Sequence, residues 1–217
     1  MSSVAVIDYG MGNLHSVAKA LERAAHGQTE VIVTGDRRTI LGCDRVVLPG
    51  VGAIRDCMAE LIRLGLDTTI HEVAASRPLL GVCVGMQALM QTSDENGGTQ
   101  CLRILPGKVR GFTEQLDAIG GEAARLKVPH MGWNRVVPTR THPLWAGIES
   151  GTRFYFVHSY YVEPGDPSLS AATSEYGLPF TCAVAHNNLF AVQFHPEKSQ
   201  HAGLRLYANF LAWDGTL

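Results

Sequence analysis

The sequence LLGVCVGMQALMQ, residues 79–91, decides the fold because an apolar run reaches a cysteine between two glycines and then continues in helix-forming residues. Its first four residues predict a buried strand, and residues 86–90 predict a helix. Gly81 and Gly85 lie two residues on either side of Cys83. This is the spacing of a nucleophile elbow, in which larger side chains at the two glycine positions would clash. The pattern predicts a strand, a sharp turn and a helix, with Cys83 at the turn.

The position of Cys83 favours chemistry at its sulfur. A thiol at a helix N-terminus lies near unsatisfied N–H groups and the positive end of the helix dipole, which lower the pKa of a free cysteine from about 8.5. The backbone amide of Val84 points into the same space and is a candidate donor to a developing oxyanion. A buried cysteine in a glycine-rich turn is the alternative, and it is the commoner case for an isolated cysteine. The nucleophilic interpretation therefore requires a base elsewhere in the chain.

A candidate base follows the apolar run Leu189–Phe194, where the chain reads His195-Pro196-Glu197. Because side chains alternate along a strand, we expect His195 and Glu197 to project to the same face, with Pro196 stiffening the pair. An imidazole beside a carboxylate is the base and orienting acid that a cysteine nucleophile needs. A surface pair at a strand end is one alternative. A zinc site is another, which is disfavoured because no other His/Cys pair has the spacing of partner ligands.

A family resemblance rests on two motifs, GVCVGMQ at residues 81–87 and FHPE at residues 194–197. Together they resemble the class I glutamine amidotransferases, with Cys83, His195 and Glu197 in the three catalytic roles. The resemblance implies hydrolysis of L-glutamine to glutamate and ammonia through a cysteine thioester, without a cofactor or a metal.

Further motifs extend the resemblance along nearly the whole chain. In order, they are DYGMGNLHSV (8–17), LPGVGA (48–53), PHMGWN (129–134), FYFVHSYY (154–161) and QFHPEKSQ (193–200). This set resembles the glutaminase subunits of imidazole glycerol phosphate synthase, an enzyme of histidine biosynthesis. The resemblance implies a heterodimer in which the ammonia passes to a cyclase subunit with a (β/α)₈ barrel. That subunit makes imidazole glycerol phosphate and aminoimidazole carboxamide ribotide.

The resemblance also implies roles for residues around the cysteine. The oxyanion hole is assigned to Val51, Gly52 and Val84. The glutamine-binding residues are Gly52, Gln87, Ser159 and Tyr160. Gln87 lies one helical turn beyond Cys83, so its side chain should face back toward the nucleophile. His158 competes with His195 as a base, but it has no carboxylate near it in sequence and is interpreted as structural or substrate-adjacent.

A partner interface is predicted at residues 129–134, which are expected to form a loop before a strand at Arg135–Val137. The residues assigned to the interface are Pro129, Met131, Trp133 and Asn134. Exposed methionine and tryptophan are typical of interface anchors. A hydrophobic loop folded against the protein is the alternative from sequence alone, and the family resemblance favours the interface.

The 217 residues fit a single domain, residues 1–217. Strand and helix patterns alternate from the N-terminus, beginning with a strand at Val4–Ile7 and a helix from about Asn13, and this order predicts an α/β fold. Together with the resemblance, it implies an open, largely parallel twisted sheet flanked by helices, flavodoxin-like, with an antiparallel portion added in the C-terminal half. The stretch Phe154–Val162 is predicted to be one of the strands.

Composition excludes several classes of partner. A net charge of −2 with no long run of either sign gives no electrostatic site for nucleic acid or an anionic membrane. Five scattered cysteines indicate a reducing compartment. The N-terminus lacks the features of a signal peptide, and no apolar run reaches membrane-spanning length. We therefore expect a cytoplasmic protein that binds proteins or small molecules.

Three alternative functions stay open from the sequence. A class I glutaminase for pyridoxal phosphate, anthranilate or pyrimidine nucleotide synthesis would share the three catalytic residues. A stand-alone thiol hydrolase of γ-glutamyl compounds would need no partner. A non-catalytic scaffold would bind a cyclase without using Cys83.

Overall fold

The computed structural model describes residues 2–216, which form fourteen strands and seven α-helices. The strands are β1 (Ser2–Ile7), β2 (Thr29–Thr34), β3 (Arg45–Leu48), β4 (Leu79–Val82), β5 (Thr92–Ser93), β6 (Thr99–Gln100), β7 (Gly107–Gly111), β8 (His130–Arg135), β9 (Val137–Pro138), β10 (Arg153–His158), β11 (Tyr160–Pro164), β12 (Ser170–Glu175), β13 (Pro179–His186) and β14 (Leu189–Val192). The helices are α1 (Leu14–Ala25), α2 (Arg37–Gly42), α3 (Ile54–Arg63), α4 (Leu66–Ser76), α5 (Val84–Ala88), α6 (Phe112–Ile119) and α7 (Gln200–Ala212).

Most strands belong to one mixed sheet, ordered β2-β1-β3-β4-β14-β13-β11-β7-β5-β6, with β12 and β9 joined to it through β13. The strands from β2 to β14 in this order pair in parallel. Beyond β14, strands β13, β11 and β7 pair antiparallel. This arrangement confirms the predicted α/β class, with a parallel half and an added antiparallel portion.

The first strand and helix illustrate why the parallel half forms. Residues 4–7 are fully buried, as expected for a central strand covered on both faces. Asn13 caps α1, because its side chain accepts a hydrogen bond from the backbone amide of Ser16 at 3.4 Å. Val17 and Leu21 lie on the buried face of that helix. The unit matches its prediction apart from small shifts in where the strand and the helix begin.

The predicted loop at residues 129–134 was wrong. Residues 130–134 of this segment belong to β8, which pairs antiparallel with β10 in a separate two-stranded sheet. Burial alternates along β8, so that His130 is buried and Met131 exposed. Tertiary pairing with a distant strand fixes this segment, and its own composition does not reveal that pairing.

The single predicted strand at Phe154–Val162 was also wrong. The chain changes sheets at Ser159, so β10 pairs with β8 and β11 pairs with β7 in the main sheet. Strand-forming residues occur on both sides of the change, and their β propensity does not show which sheet each half joins. The break places Ser159 and Tyr160 beside the cavity described below.

Two segments rich in polar residues also contain secondary structure. The short strands β5 and β6 pair around residues 94–98, and α6 occupies part of the charged segment 114–126. The helix after Cys83 was predicted to include residues 86–90, but α5 ends at Ala88. Among residues 2–216, no helix is both long and apolar enough to cross a bilayer.

Candidate active site

Cys83 lies at the sharp turn between β4 and α5, as predicted, with φ 55° and ψ −111°. A positive φ is rare for a residue with a side chain, and such a conformation costs about 1–3 kcal/mol. Backbone hydrogen bonds hold it in place. The Cys83 amide donates to the carbonyl of Val192 at 2.8 Å, and its own carbonyl accepts from the amide of Met86 at 3.0 Å.

Gly85 is required by the close packing of this turn. A Cβ at this position would collide with the carbonyl oxygen of Leu48 at the end of β3. The predicted clash at the glycine positions of the elbow is therefore confirmed for Gly85. The backbone of α5 can approach β3 only because this residue has no side chain.

A cavity of about 520 Å³ opens beside Cys83. The predicted site residues that line it are Val51, Gly52, Cys83, Val84, Gln87, Ser159, Tyr160 and His195. Cys83 is 5% exposed, so its accessible surface belongs to a cavity wall and the residue is not sealed in the core. The fold thus brings together residues that lie far apart in the sequence.

His195 and Glu197 form the predicted pair. The Nδ1 atom of His195 lies 2.8 Å from Oε1 of Glu197, and both side chains are buried. The prediction that strand alternation would pair these side chains was wrong, because β14 ends at Val192 and residues 196–198 form a 3₁₀ turn. The turn, and not strand alternation, brings the carboxylate to the imidazole.

The environment of His195 favours a protonated ring. Burial by itself lowers the pKa of His195, but the neighbouring Cys83 sulfur and the Glu197 carboxylate raise it more, so the net pKa lies above its ordinary value. Within residues 2–216, Nε2 of His195 has no hydrogen-bond partner. This nitrogen is available to exchange a proton with a group bound in the cavity.

Sequence reasoning missed Gly203, which supports the turn that carries the pair. Gly203 lies in α7, where its amide donates to the carbonyl of Ser199 at 3.1 Å. A Cβ on this residue would collide with the carbonyl of Pro196, so α7 packs directly against the turn. A glycine inside an amphipathic helical pattern was the available signal. Glycine lowers helix stability, so its presence within a helix indicates a position where close packing excludes a side chain.

Sequence reasoning also missed Gln193, which is fully buried beside the cysteine. Its side-chain amide donates to the Cys83 sulfur at 3.7 Å, and its Oε1 accepts from Nε2 of Gln87 at 3.0 Å. The Gln87 amide also donates to the carbonyl of Tyr160 at 3.1 Å. Both N–H groups of Gln87 are thus used, and its Oε1 is the atom left for a ligand. A polar residue inside an apolar strand pattern was the signal for Gln193.

Two of the three predicted oxyanion donors, the amides of Val51 and Val84, do not face a common space in this structure. The Val84 amide, expected to be open to a ligand, donates to the carbonyl of Gly50 at 3.3 Å. The Gly50 carbonyl and the Val51 N–H belong to one planar trans peptide and point in opposite directions. The Val51 N–H therefore points away from Val84. Tyr9 stabilises the loop at residues 49–52, because its hydroxyl donates to the carbonyl of Pro49 at 2.8 Å.

His158 is not available as a base in this structure, because both ring nitrogens are engaged. Nδ1 lies 2.8 Å from the carbonyl of Tyr160, and Nε2 lies 2.8 Å from Nδ1 of His130. Burial lowers the pKa of His158 to about 3 and that of His130 to about 4. Both rings are neutral near pH 7.

We expect the free energy of unfolding to decrease as the pH falls from about 6.5 toward 4, partly because of His158. As the pH falls below about 6.5, His158 takes up a proton in the unfolded chain but not in the folded protein. The contribution of neutral His158 to the free energy of unfolding is therefore full above that pH and is lost on acidification. The variant His158→Phe should reduce the slope by about 0.7 kcal/mol per pH unit between pH 7 and 6, rising toward about 1.4 kcal/mol per pH unit near pH 5. Urea unfolding at pH 7, 6 and 5 measures it. Tyr176→Phe, in the same aromatic cluster, should keep the wild-type slope, and equal slopes for all three proteins would contradict the expectation.

The four predicted interface residues are divided by the fold. Met131 and Trp133 project from the outer face of β8 and are 61% and 44% exposed. Pro129 is exposed and lines the cavity beside Cys83. Asn134 is half-buried and donates to the carbonyl of Glu175 at 2.8 Å.

Comparison with known proteins gives consistent matches along the chain. Residues 5–212 match the family model of glutamine amidotransferase class-I. The chain is 60% identical to imidazole glycerol phosphate synthase subunit HisH of Methylococcus capsulatus, over 99% of this chain and 98% of that protein. It is 57% identical to the protein of the same name from Pseudomonas putida, over 99% of both chains.

Two solved structures share the fold. PurLQS from Thermotoga maritima superimposes with a TM-score of 0.73 at 16% identity, covering 97% of this chain and 98% of that one. A glutamine amidotransferase from the same organism gives a TM-score of 0.60 at 16% identity, covering 90% of this chain and 76% of that one.

Proposed function

Because the chain belongs to the class I glutamine amidotransferase family, in the group of HisH subunits of imidazole glycerol phosphate synthase, we propose that Cys83, His195 and Glu197 release ammonia from L-glutamine. One observation carries the proposal. The Cys83 sulfur and the His195 ring line one cavity, and a buried carboxylate lies 2.8 Å from the other ring nitrogen. A nucleophile, a base and an orienting acid meet there.

In the first step, the Cys83 thiolate attacks the side-chain amide carbon of glutamine and forms a tetrahedral intermediate. His195 then gives its Nε2 proton to the departing nitrogen, so that ammonia leaves and a γ-glutamyl thioester remains. Glu197 accepts the hydrogen bond from Nδ1 and thereby fixes the ring orientation through both transfers.

In the second step, neutral His195 takes a proton from water, and the resulting hydroxide attacks the thioester carbon. The carbon–sulfur bond breaks, glutamate is released and the Cys83 thiolate is restored with protonated His195 beside it. Water replaces the proton that His195 gave to ammonia, and the new carboxylic acid loses its proton to solvent. The protein thus returns to its starting state, and the reaction needs no cofactor.

Glutamine would lie along the cavity wall formed by Gln87, Ser159 and Tyr160, next to Gly52. The Oε1 atom of Gln87 is suited to accept from the substrate, because its N–H groups already bond to protein atoms. The backbone and hydroxyl groups of Ser159 and Tyr160 are suited to the α-amino and α-carboxyl groups.

The loop at residues 49–52 would act as a gate on this chemistry. Turning over the Gly50–Val51 peptide would release the Val84 amide and aim the Val51 N–H into the same space, which gives two oxyanion donors. The 3.3 Å bond from Val84 to the Gly50 carbonyl supports a resting state in which these donors are absent.

The partner would be a cyclase subunit with a (β/α)₈ barrel, docked near Met131 and Trp133 to form a heterodimer. It would combine the ammonia with the phosphoribulosyl-formimino intermediate, giving imidazole glycerol phosphate and aminoimidazole carboxamide ribotide. Coupling of this kind avoids the release of ammonia into solvent, where it would be protonated. We further propose that residues 1–217 form one domain and that the protein is cytoplasmic, supported by one continuous apolar core and by five unpaired cysteines.

Glutamate release should be measured for the chain alone, with the cyclase, and with the cyclase and its acceptor substrate. We expect the last rate to exceed the first by about 10² to 10³, the usual effect of one oxyanion donor. Equal rates in all three would argue for a stand-alone hydrolase and against gating. Absence of glutamate in all three would contradict the glutaminase function.

A further inference from the structure

A chain of buried hydrogen bonds runs through two histidines that the proposed reaction does not use. The Nδ2 group of Asn134 lies 3.2 Å from Nε2 of His130. Nδ1 of His130 lies 2.8 Å from Nε2 of His158, whose Nδ1 lies 2.8 Å from the carbonyl oxygen of Tyr160. His130 and His158 are 4% and 5% exposed, so water does not compete for these bonds.

The groups at the two ends of this series of hydrogen bonds determine which ring nitrogen carries each proton. A carbonyl oxygen only accepts, so Nδ1 of His158 must donate to Tyr160, which leaves Nε2 of a neutral ring as an acceptor. His130 must then donate from Nδ1 and accept at Nε2. The Asn134 amide meets this requirement, because its Nδ2 also donates to the Glu175 carbonyl and its Oδ1 accepts from the amide of Arg135. Every bond in the chain therefore has one direction.

Packing holds both rings in this arrangement. His130 is stacked between Phe156 and Tyr176, with centroid distances of 5.0 Å and 4.2 Å. Phe112 meets His158 edge-on at 5.2 Å. Neither ring can turn without moving these aromatic neighbours.

This series of hydrogen bonds ends on the carbonyl of Tyr160, a residue that lines the cavity beside Cys83. The Tyr160 oxygen accepts from both His158 and Gln87, and Gln87 bonds to Gln193, which donates to the Cys83 sulfur. Through these contacts the position of His158 determines where the Tyr160 peptide and the Gln87 amide lie. A carbonyl that lost the histidine donor would be left with one partner in a buried site.

The other end of this series of hydrogen bonds, at His130 and Asn134, lies on β8. The opposite face of β8 is exposed. His130 and Asn134 point inward, while Met131 and Trp133 between them point outward. A protein that displaced β8 by binding to its outer face would also displace His130, which is joined to Tyr160 through His158.

We propose that His130 and His158 are positioning residues that couple the location of β8 to the geometry of the glutamine pocket, an inference that rests on the proposed glutaminase function. His158 lines the cavity, but all four ring nitrogens of the two histidines already bond to protein atoms, which leaves none for substrate. They act by holding the Tyr160 carbonyl, and with it Gln87, in the arrangement that binds glutamine.

The test compares KM and kcat for glutamine in the complex with the cyclase and its acceptor, using His130→Phe, His158→Phe and the double variant. Phenylalanine keeps the aromatic packing and removes both ring nitrogens. Each single variant should raise KM about tenfold, the effect of one neutral hydrogen bond, with a smaller change in kcat. The double variant should resemble His158→Phe alone, because both act through one chain.

Tyr176→Phe is the matched control, since it keeps the stacking on His130 and removes only a hydroxyl that donates to the Lys127 carbonyl at 2.7 Å. Its KM should be that of the wild type. Stoichiometric labelling of Cys83 by iodoacetamide, mapped by mass spectrometry, gives the active fraction of each protein. Unchanged KM values, a loss only in proportion to active fraction, or about a hundredfold rise in the double variant would overturn the inference. An inactive wild-type complex would overturn the proposed function and this inference with it.

Discussion

Replacing Cys83 with alanine should lower glutamine-dependent synthesis by the complex at least about 10⁴-fold, because no other group can form the thioester. Synthesis from added ammonium salt should stay at the wild-type level, since the cyclase reaction does not involve the cysteine. Product formation with each nitrogen source, measured on the same preparation, gives both results. Retention of ammonium-dependent synthesis would also show that the variant still assembles.

Cys101→Ala is a suitable control, because Cys101 is another buried cysteine, bonded only weakly to the carbonyl of Thr99 at 3.8 Å. It should keep both activities. If Cys83→Ala retained glutamine-dependent synthesis, the chain would be a scaffold that binds the cyclase without catalysing glutamine hydrolysis. Loss of both activities in the Cys83 variant would instead place the cysteine in the assembly of the complex.

Replacing Glu197 with glutamine should lower kcat for glutamine hydrolysis by about 10³ to 10⁴, with little change in KM. The carboxylate accepts from Nδ1 of His195, whereas an amide N–H group facing that nitrogen would force the ring proton to Nε2. The neutral ring would then be in the wrong tautomer to receive a proton at Nε2. Steady-state kinetics of the complex separate kcat from KM.

Tyr207→Phe is the matched control for the Glu197 variant. The Tyr207 hydroxyl donates to the second carboxylate oxygen at 3.4 Å, so its loss leaves the bond to His195 in place. We expect less than about a tenfold decrease in kcat, as for the loss of one weak hydrogen bond. Wild-type kcat in Glu197→Gln would mean that the carboxylate only fills space beside the ring.

Local patterns in the sequence were sufficient to predict the elbow and the His195–Glu197 pair. The turn at Cys83 depends on residues within a few positions of it, so the glycine spacing contains most of the information. Contact between His195 and Glu197 also follows from their closeness in sequence, although the backbone that produces it is a turn.

Features that depend on distant pairing could not be predicted. The break at Ser159 exists because β10 joins β8 while β11 joins the main sheet, and nothing in the aromatic run marks that division. The bond from the Val84 amide to the Gly50 carbonyl joins two loops whose separate sequences both favour a ligand site. Gln193 gains its role from Cys83, which lies 110 positions earlier.

At Cys83, stability and activity favour different residues. The positive φ favours glycine, whereas the chemistry requires the cysteine side chain. Glycine adopts a φ near 55° without the steric penalty of a side chain, which costs about 1–3 kcal/mol at Cys83, and a lineage that no longer needed glutamine nitrogen would recover part of that energy by the exchange. Descendants of this fold that have lost their activity should therefore carry glycine at the turn more often than alanine or serine.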